Sequence, residues 1–167
     1  REIRVWSRNA ASAARVAAAS ELARVFPTPE EAVQGADIIC LCTTAQEPPV
    51  RAEWVAPGAH VTSVGYHPPG GELDTALLAP GSLFVETRAA FSPPPVGCDE
   101  LQGMDPESGA ELGEVVLGIR PGRTSADQIT VYKSMGHAME DVVTAALVYQ
   151  AAMDEGLGHW FDLAPNA

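Results

Sequence analysis

The chain has 167 residues, of which 46% are hydrophobic and 19% are charged, so one globular domain with a sizeable core is expected and disorder is excluded. The formal net charge of −12 argues against a nucleic-acid or anionic-membrane partner, and an anionic ligand would need a local group of donors. The three cysteines lack C-x-x-C spacing, which argues against a disulfide framework and predicts no metal site.

Strand-like and helix-like segments alternate along the first half of the chain. Strands are predicted at residues 3–6, 22–26, 37–42, 60–64 and 83–86, and helices at residues 10–19 and 28–35. Thr28, Pro29 and Glu31 have the spacing of an N-cap, a first helical residue and a capping box. Residues 37–42 form a continuous apolar run, as in a parallel strand covered on both faces. This alternation predicts an α/β fold, a Rossmann-like doubly wound parallel sheet.

The second half is richer in proline and glycine. Residues 92–106 are predicted to be a loop, 111–117 a short helix, 120–127 a connector, 129–132 a last strand and 137–153 a long apolar helix. No apolar run approaches the ~20 residues of a membrane span. A soluble, reducing, cytoplasmic setting is therefore expected.

Ser7, Arg8 and Asn9 follow the strand at residues 3–6, where many doubly wound sheets carry an acid. An acid at the end of the second strand binds the ribose 2′-hydroxyl of NAD, whereas an arginine accommodates the 2′-phosphate of NADP. Ser7 and Asn9 can donate further hydrogen bonds, and the following helix presents its positive end. The alternative is that these residues only cap the helix.

The glycine-rich phosphate loop that should precede this strand is missing from the sequence. The only G-x-G, at Gly156, follows a helix. In the strand order 3-2-1-4-5-6 the missing first strand would lie between the strands at Ile3 and Ile38. The sequence is therefore expected to be the C-terminal portion of a longer protein. The gap should be filled by an upstream segment, rather than by a strand from a second copy or by direct pairing of its two flanking strands.

Polar residues follow three of the predicted parallel strands. Thr43 and Thr44 are candidate cofactor contacts, with ordinary turn hydroxyls as the alternative. His67 is the most plausible general acid or base, with a solvated loop histidine as the alternative. The turn at Ser134 and Met135 would leave free amides at a helix N-terminus.

Other polar residues have simpler interpretations. Cys40 and Cys42 share a strand face and are expected to be core thiols. Lys133 could be a surface charge, and Glu140 and Asp141 should be solvated acids in the first turn of the last helix.

Taken together, these stretches resemble the ornithine cyclodeaminase and mu-crystallin family. The matching segments, in order, are V-W-S-R-N, E-E-A-V-Q-G-A-D-I-I, E-W-V-A-P-G-A-H-V-T-S-V-G, G-E-L-D, E-L-G-E-V-V-L-G, P-G-R-T-S and I-T-V-Y-K-S-M-G-H-A-M-E-D. The resemblance implies an NAD(P)-binding Rossmann domain, partial in residues 1–167. It also implies an N-terminal domain upstream of Arg1 that supplies most of the substrate pocket and the dimer interface, together with the phosphate loop.

The resemblance also implies roles for individual residues. Those at the adenosine end of the cofactor are Ser7, Arg8, Asn9 and Ser12, and the arginine favours NADP(H), with NAD(H) possible. Those nearer the nicotinamide are Thr43, Thr44, Val64, Ser134 and Met135.

One residue departs from the family pattern. Ornithine cyclodeaminases carry an Asp two residues beyond the Val-Gly at the end of the strand, whereas this sequence has His67. The favoured reaction is therefore NADPH-dependent reduction of a small imino acid, or the reverse oxidation of an amino acid. The alternatives are ornithine cyclodeaminase itself, with His67 in place of the Asp, and a non-catalytic, crystallin-like binder of small ligands. The complete protein is expected to be a homodimer.

Overall fold

The computed structural model describes residues 1–161 and divides the chain into two compact units, Arg1–Met135 and Gly136–Ala167. The first unit contains seven strands among its described residues: β1 (Ile3–Val5), β2 (Ala23–Val25), β3 (Ile38–Leu41), β4 (His60–Ser63), β5 (Leu83–Val85), β6 (Ala110–Glu111) and β7 (Thr130–Lys133). Its α-helices are α1 (Ala10–Ala17), α2 (Pro29–Val33) and α3 (Leu112–Val116), and the second unit contains α4 (Ala138–Glu155).

The strands of the first unit form two parallel sheets. One sheet has the order β1-β2 and the other has the order β3-β4-β7-β5-β6. The predicted α/β class with a parallel sheet is confirmed. β7 is the last strand in the chain, but it lies between β4 and β5 and pairs with both. The order of the strands along the chain does not predict this central position.

Local capping explains where the helices begin. The side chain of Asn9 accepts hydrogen bonds from the amides of Ala11 and Ser12 at the start of α1. Thr28 caps α2 by accepting from the amide of Glu31, and Pro29 takes the first helical position, as predicted. His137 caps the start of α4, and Gly156, which follows its last residue, has the left-handed backbone conformation that commonly ends a helix.

The main core lies around the larger sheet. Val61 of β4, Val131 of β7 and Val85 of β5 are each 0% exposed, and Leu73 and Leu101 pack in the same cluster. This burial holds the three central strands in register, and it therefore fixes where their carboxyl ends lie.

Several sequence-based expectations need correction. Strands β1 to β5 are shorter than predicted by one or two residues, β7 is shifted by one residue toward the C-terminus, and the two-residue β6 was not predicted. The loop at 92–106 contains short 3-10 turns, including Asp99–Leu101. Cys40 and Cys42 are exposed, not core thiols. Side chains alternate along β3, and Ile39 and Leu41 take the buried face, so Cys40 points to the opposite, exposed face.

Lys133 was also interpreted wrongly: it is fully buried rather than a surface charge. Glu140 and Asp141 are exposed in the first turn of α4, as predicted. Within residues 1–161, no helix has the length and apolar character that crossing a membrane requires.

Candidate functional site

The carboxyl ends of β3, β4 and β7 lie side by side at one edge of the larger sheet. These strands are parallel neighbours, with Leu41 opposite Ser63 and Ser63 opposite Lys133. The amide of Val64 donates to the carbonyl of Leu41 at 3.1 Å, and the amide of Ser134 donates to the carbonyl of Ser63 at 2.8 Å. The structure thus brings Thr43, Val64 and Ser134 to one edge, where doubly wound sheets bind ligands.

A buried carboxylate joins two of these strand ends. Glu72 is 1% exposed, and its Oε2 accepts hydrogen bonds from the amide and the hydroxyl of Thr43, both at 2.6 Å. Its Oε1 accepts from the Ser63 hydroxyl at 3.0 Å and from the Gly65 amide at 2.6 Å. Both oxygens of the carboxylate therefore accept hydrogen bonds, and neither lacks a donor.

Lys133 connects the third strand end to the same group. Its Nζ donates to Ser63 Oγ at 3.1 Å, to the carbonyl of Gly65 at 2.8 Å and to Glu100 Oε1 at 3.0 Å. The Lys133 side chain is 0% exposed and that of Glu100 is 6% exposed. The buried cation is thus paired and hydrogen-bonded, which offsets the cost of its desolvation.

Gly65 allows this close approach of backbone and carboxylate. A methyl group at this position would collide with the carbonyl oxygen of Thr43, and its carbon would lie 2.5 Å from Cδ of Glu72. Only glycine fits between the ends of β3 and β4 in this arrangement.

Glu86, just beyond β5, supports the turn after β7. Its carboxylate accepts from the amide of Met135 at 3.1 Å. Partial burial raises the pKa of Glu86, but hydrogen bonds from Ser134, Met135 and Tyr132 outweigh burial and hold that pKa below its usual value. The Ser134–Met135 turn is therefore held beside an ionised acid.

The loop after β4 carries the candidate proton donor. Val64, Tyr66 and His67 are exposed, and His67 forms no hydrogen bond or ion pair with another residue in the part of the chain that the structure describes. Its imidazole is consequently available to a ligand. Thr44 is also exposed, whereas Thr43 is half-buried by its contact with Glu72.

The residues expected at the adenosine end lie after β1, on the smaller sheet. Asn9 uses its side-chain oxygen to cap α1, and Ser7 Oγ accepts from the amide of Asn9 at 3.3 Å. The capping interpretation thus holds for Asn9. Arg8 is exposed, and its guanidinium makes no ion pair or hydrogen bond with any residue in 1–161, while Ser12 is half-buried in the first turn of α1.

A cavity of about 580 Å³ lies between the two sheets and is lined by residues of both β1 and β3. The carbonyls of Asp37 and Leu41 accept hydrogen bonds from amides of β4 and the residue that follows it. In a parallel strand, successive residues direct their backbone groups to opposite edges, so those of Ile38 and Cys40 point to the edge of β3 that faces away from β4. The carbonyl of Val5 and the amide of Ile3 likewise bond to the β2 side. The backbone of Arg4 therefore points away from β2.

Sequence reasoning missed Glu72, Glu100 and Lys133. Glu72 belongs to the G-E-L-D stretch, which was noted only as part of the family pattern, and an isolated acid in a polar loop resembles a solvated one. Within the described residues 1–161, no three His, Cys, Asp or Glu side chains are grouped so that they could hold a metal ion.

The chain matches proteins of known type over most of its length. It is 41% identical to the ketimine reductase mu-crystallin of Rattus norvegicus over 90% of this chain and 47% of that protein. Among solved structures, it resembles a Δ1-pyrroline-2-carboxylate reductase of Thermococcus litoralis in complex with NADH and L-proline, with TM-score 0.80, 29% identity and coverage of 95% of this chain and 52% of that chain. It also resembles an archaeal alanine dehydrogenase dimer with bound NAD, with a TM-score of 0.77 and 28% identity. That match covers 98% of this chain and 53% of the dehydrogenase chain.

The chain thus spans about half the length of these proteins. The model of the ornithine cyclodeaminase/mu-crystallin family matches residues 1–156, which include both sheets and α4. With its parallel sheet and its polar strand ends, the chain belongs to the ornithine cyclodeaminase/mu-crystallin family.

Proposed function

We propose that the complete protein is an NAD(P)H-dependent oxidoreductase that reduces a small imino acid, or oxidises the corresponding amino acid. The observation that carries this proposal is the joining of Thr43, Gly65 and Lys133 through one buried network at the carboxyl edge of a parallel sheet. The names of the relatives, a ketimine reductase and a Δ1-pyrroline-2-carboxylate reductase, support the substrate class.

The residues present fit a dinucleotide. Thr43, Thr44, Val64, Ser134 and Met135 would hold its nicotinamide end, because they follow adjacent strands at one edge. When bound, the nicotinamide supplies or accepts the hydride. Ser7, Arg8, Asn9 and Ser12 would hold the adenosine end, and the unpaired guanidinium of Arg8 favours NADP(H) over NAD(H), since it offers a bidentate fork to a 2′-phosphate.

His67 would act on the substrate. Reduction of an imine to an amine consumes a proton at the nitrogen, and an exposed imidazole with no internal partner can deliver one. In the reverse direction the same ring would accept a proton from the amine. The rest of the site would orient the substrate and exclude water.

We further propose that a longer polypeptide completes this site. An extended strand from an upstream portion would lie in the cavity between β1 and β3 and would carry the phosphate-binding loop. A domain in that portion would supply substrate contacts and the interface of a homodimer, and one solved neighbour is a dimer. The exposed apolar side chains of α4, which include Val143, Leu147 and Val148, would then be covered.

The experiment is a comparison of substrates with the complete protein. We expect NADPH oxidation with Δ1-pyrroline-2-carboxylate and little conversion of ornithine with NAD. The exchange His67→Asn should lower kcat by about 10²–10⁴-fold with the cofactor Kd unchanged.

Each other outcome selects another function. Conversion of ornithine to proline with release of ammonia would identify a cyclodeaminase that uses His67 in place of the Asp. Saturable binding of a small ligand without turnover would identify a crystallin-like binder. A wild-type kcat in His67→Asn would show that His67 is a solvated loop residue without a catalytic role.

A further inference from the structure

In the function proposed above, the buried cluster of Glu72, Lys133 and Glu100 marks the site, but none of the three side chains is given a contact with cofactor or substrate. We propose that Glu72 and Lys133 are positioning residues that set the spacing of the β3, β4 and β7 ends, and through them align the nicotinamide with the substrate. This proposal rests on the proposed function, because it places the cofactor at that edge.

The first step concerns the ends of β3 and β4. Glu72 receives two hydrogen bonds from Thr43 on one oxygen and bonds from Ser63 and Gly65 on the other. The four bonds are 2.6–3.0 Å long, and the carboxylate that accepts them belongs to a side chain that is only 1% exposed. Since both oxygens accept from backbone amides, one side chain holds the two strand ends at a fixed distance.

The second step adds the end of β7. The Ser63 hydroxyl accepts a hydrogen bond from Lys133 and donates its own proton to Glu72. Lys133 also binds the carbonyl of Gly65, so both polar groups of the Gly65 backbone are held, the amide by Glu72 and the carbonyl by Lys133. Glu100 provides the counter-charge.

The third step is that Glu72 and Lys133 would affect a ligand indirectly, through the strand ends that they hold. Glu72 and Lys133 are 1% and 0% exposed, whereas the residues next to the groups they hold, Thr44, Val64 and Ser134, are exposed or half-buried. A change in the cluster would therefore move the walls of the site without removing any group that touches the ligand. Hydride transfer is sensitive to shifts of about 1 Å, and binding of the distant adenosine end is not.

The first test is Glu72→Gln in the complete protein. The amide has nearly the same size, but its NH₂ group must face an amide donor in either orientation. Hydrogen exchange at Thr43 and Gly65, read by NMR, should become about tenfold or more faster. The matched control is Thr130→Val, which removes a buried hydroxyl at the opposite end of β7, where Thr130 bonds to His60. It should leave exchange at Thr43 and Gly65 unchanged.

The second test is kinetic. In Glu72→Gln and Lys133→Met, kcat should fall by about 10–100-fold while the Kd of NADPH changes by less than about threefold, because only the nicotinamide end is displaced. Thr130→Val should lower the melting temperature, because it removes the buried partner of His60, but it should keep the wild-type kcat. If Glu72→Gln does not fold, Ser63→Ala is the substitute, because it removes the single hydroxyl that links Lys133 to Glu72. It should likewise lower kcat while leaving the Kd of NADPH nearly unchanged.

The outcomes separate this proposal from the proposed function. Unchanged exchange at Thr43 and Gly65, or faster exchange with wild-type kcat, would overturn the positioning role. Equal losses of kcat in Glu72→Gln and Thr130→Val would also overturn it, since stability alone would explain both. If the wild-type protein turns over no imino or amino acid, the proposed function fails, and the exchange experiment alone decides whether the cluster sets the strand ends.

Discussion

Arg8 is the residue on which cofactor preference depends. It follows β1, its guanidinium has no partner within residues 1–161, and the neighbouring Asn9 is already engaged in capping α1. Arg8→Ala should weaken NADPH binding by about 1.5–3 kcal/mol, the value of charge-assisted hydrogen bonds, and should barely affect NADH. Calorimetric titration of both cofactors measures this. An equal loss for both would contradict a 2′-phosphate contact.

Gly65 is a second residue whose identity the packing determines. Gly65→Ala should lower the free energy of unfolding by about 1–3 kcal/mol, because the added methyl group meets the Thr43 carbonyl and the Glu72 carboxylate. Gly113→Ala is the matched control, since nothing lies within 4 Å of a methyl group there and the residue is within α3. It should be neutral or stabilising by up to about 1 kcal/mol. Urea unfolding that ranks the two variants equally would refute the packing argument.

His60 should make stability depend on pH. Burial lowers its pKa below the usual 6.5, the Arg123 guanidinium lowers it further, and a hydrogen bond with Thr130 opposes both. The unfolded chain therefore binds this proton more readily, so the contribution is fully present above pH 6.5 and is lost as the pH falls through the lower folded pKa.

Urea unfolding at pH 7.5 and 5.5 tests this behaviour. His60→Gln should lose less stability than the wild type on acidification. His67→Gln, which removes an exposed imidazole, controls for the loss of a histidine as such. The same pH dependence in wild type and His60→Gln would contradict the interpretation.

At the scale of elements, the outer edges of β1 and β3 are the unusual feature. The backbones of Arg4, Ile38 and Cys40 point away from the strands that pair with β1 and β3, and residues of both strands line one cavity. Ile38 is 67% exposed, although it lies in an apolar strand. Such edges bind a further strand readily, because each offers unpaired donors and acceptors.

We expect the amides of Arg4, Ile38 and Cys40 to exchange quickly in the chain of residues 1–167. In the complete protein they should exchange at least about a hundredfold more slowly, because a strand in the cavity would pair them. Val61, in the middle of β4, should be slow in both and serves as the reference. Fast exchange at the three amides in the complete protein would show that no strand fills the cavity.

At the scale of the whole molecule, α4 carries more apolar surface than a solvated helix needs. Leu147 is 68% exposed and Val148 is 64% exposed, with Tyr149 and Val143 also exposed. A helix that is apolar around most of its circumference is usually buried. The exposed residues of α4 are therefore best explained by contacts within the complete protein.

Leu147→Ala tests this explanation. It should destabilise the complete protein by about 2–5 kcal/mol, as truncation of a buried leucine does. In residues 1–167 alone it should change stability by less than about 0.5 kcal/mol, as surface substitutions do. Gln150→Ala, on the same helix, should have little effect in either chain. Equal effects of Leu147→Ala in both would mean that nothing outside this chain covers α4.

The sequence by itself was enough for the class of fold and the family. Alternating strand and helix patterns located six of the seven described strands, all except β6, and the cap at Thr28 follows from local chemistry alone. The polar strand ends at Thr43, His67 and Ser134 were also visible, since parallel strands bring their carboxyl ends to one edge. Their roles toward a cofactor stay predictions.

Tertiary structure decided what lies between those strand ends. Glu72 and Lys133 resemble surface residues in sequence, and only the packing of β3, β4 and β7 buries them, because their partners are up to 70 residues away along the chain. Cys40 resembles a core residue and is exposed, because it points to the face of β3 opposite the buried Ile39 and Leu41, and the described residues leave that face uncovered. Local patterns report how a segment folds, whereas long-range contacts determine which of its side chains are removed from water.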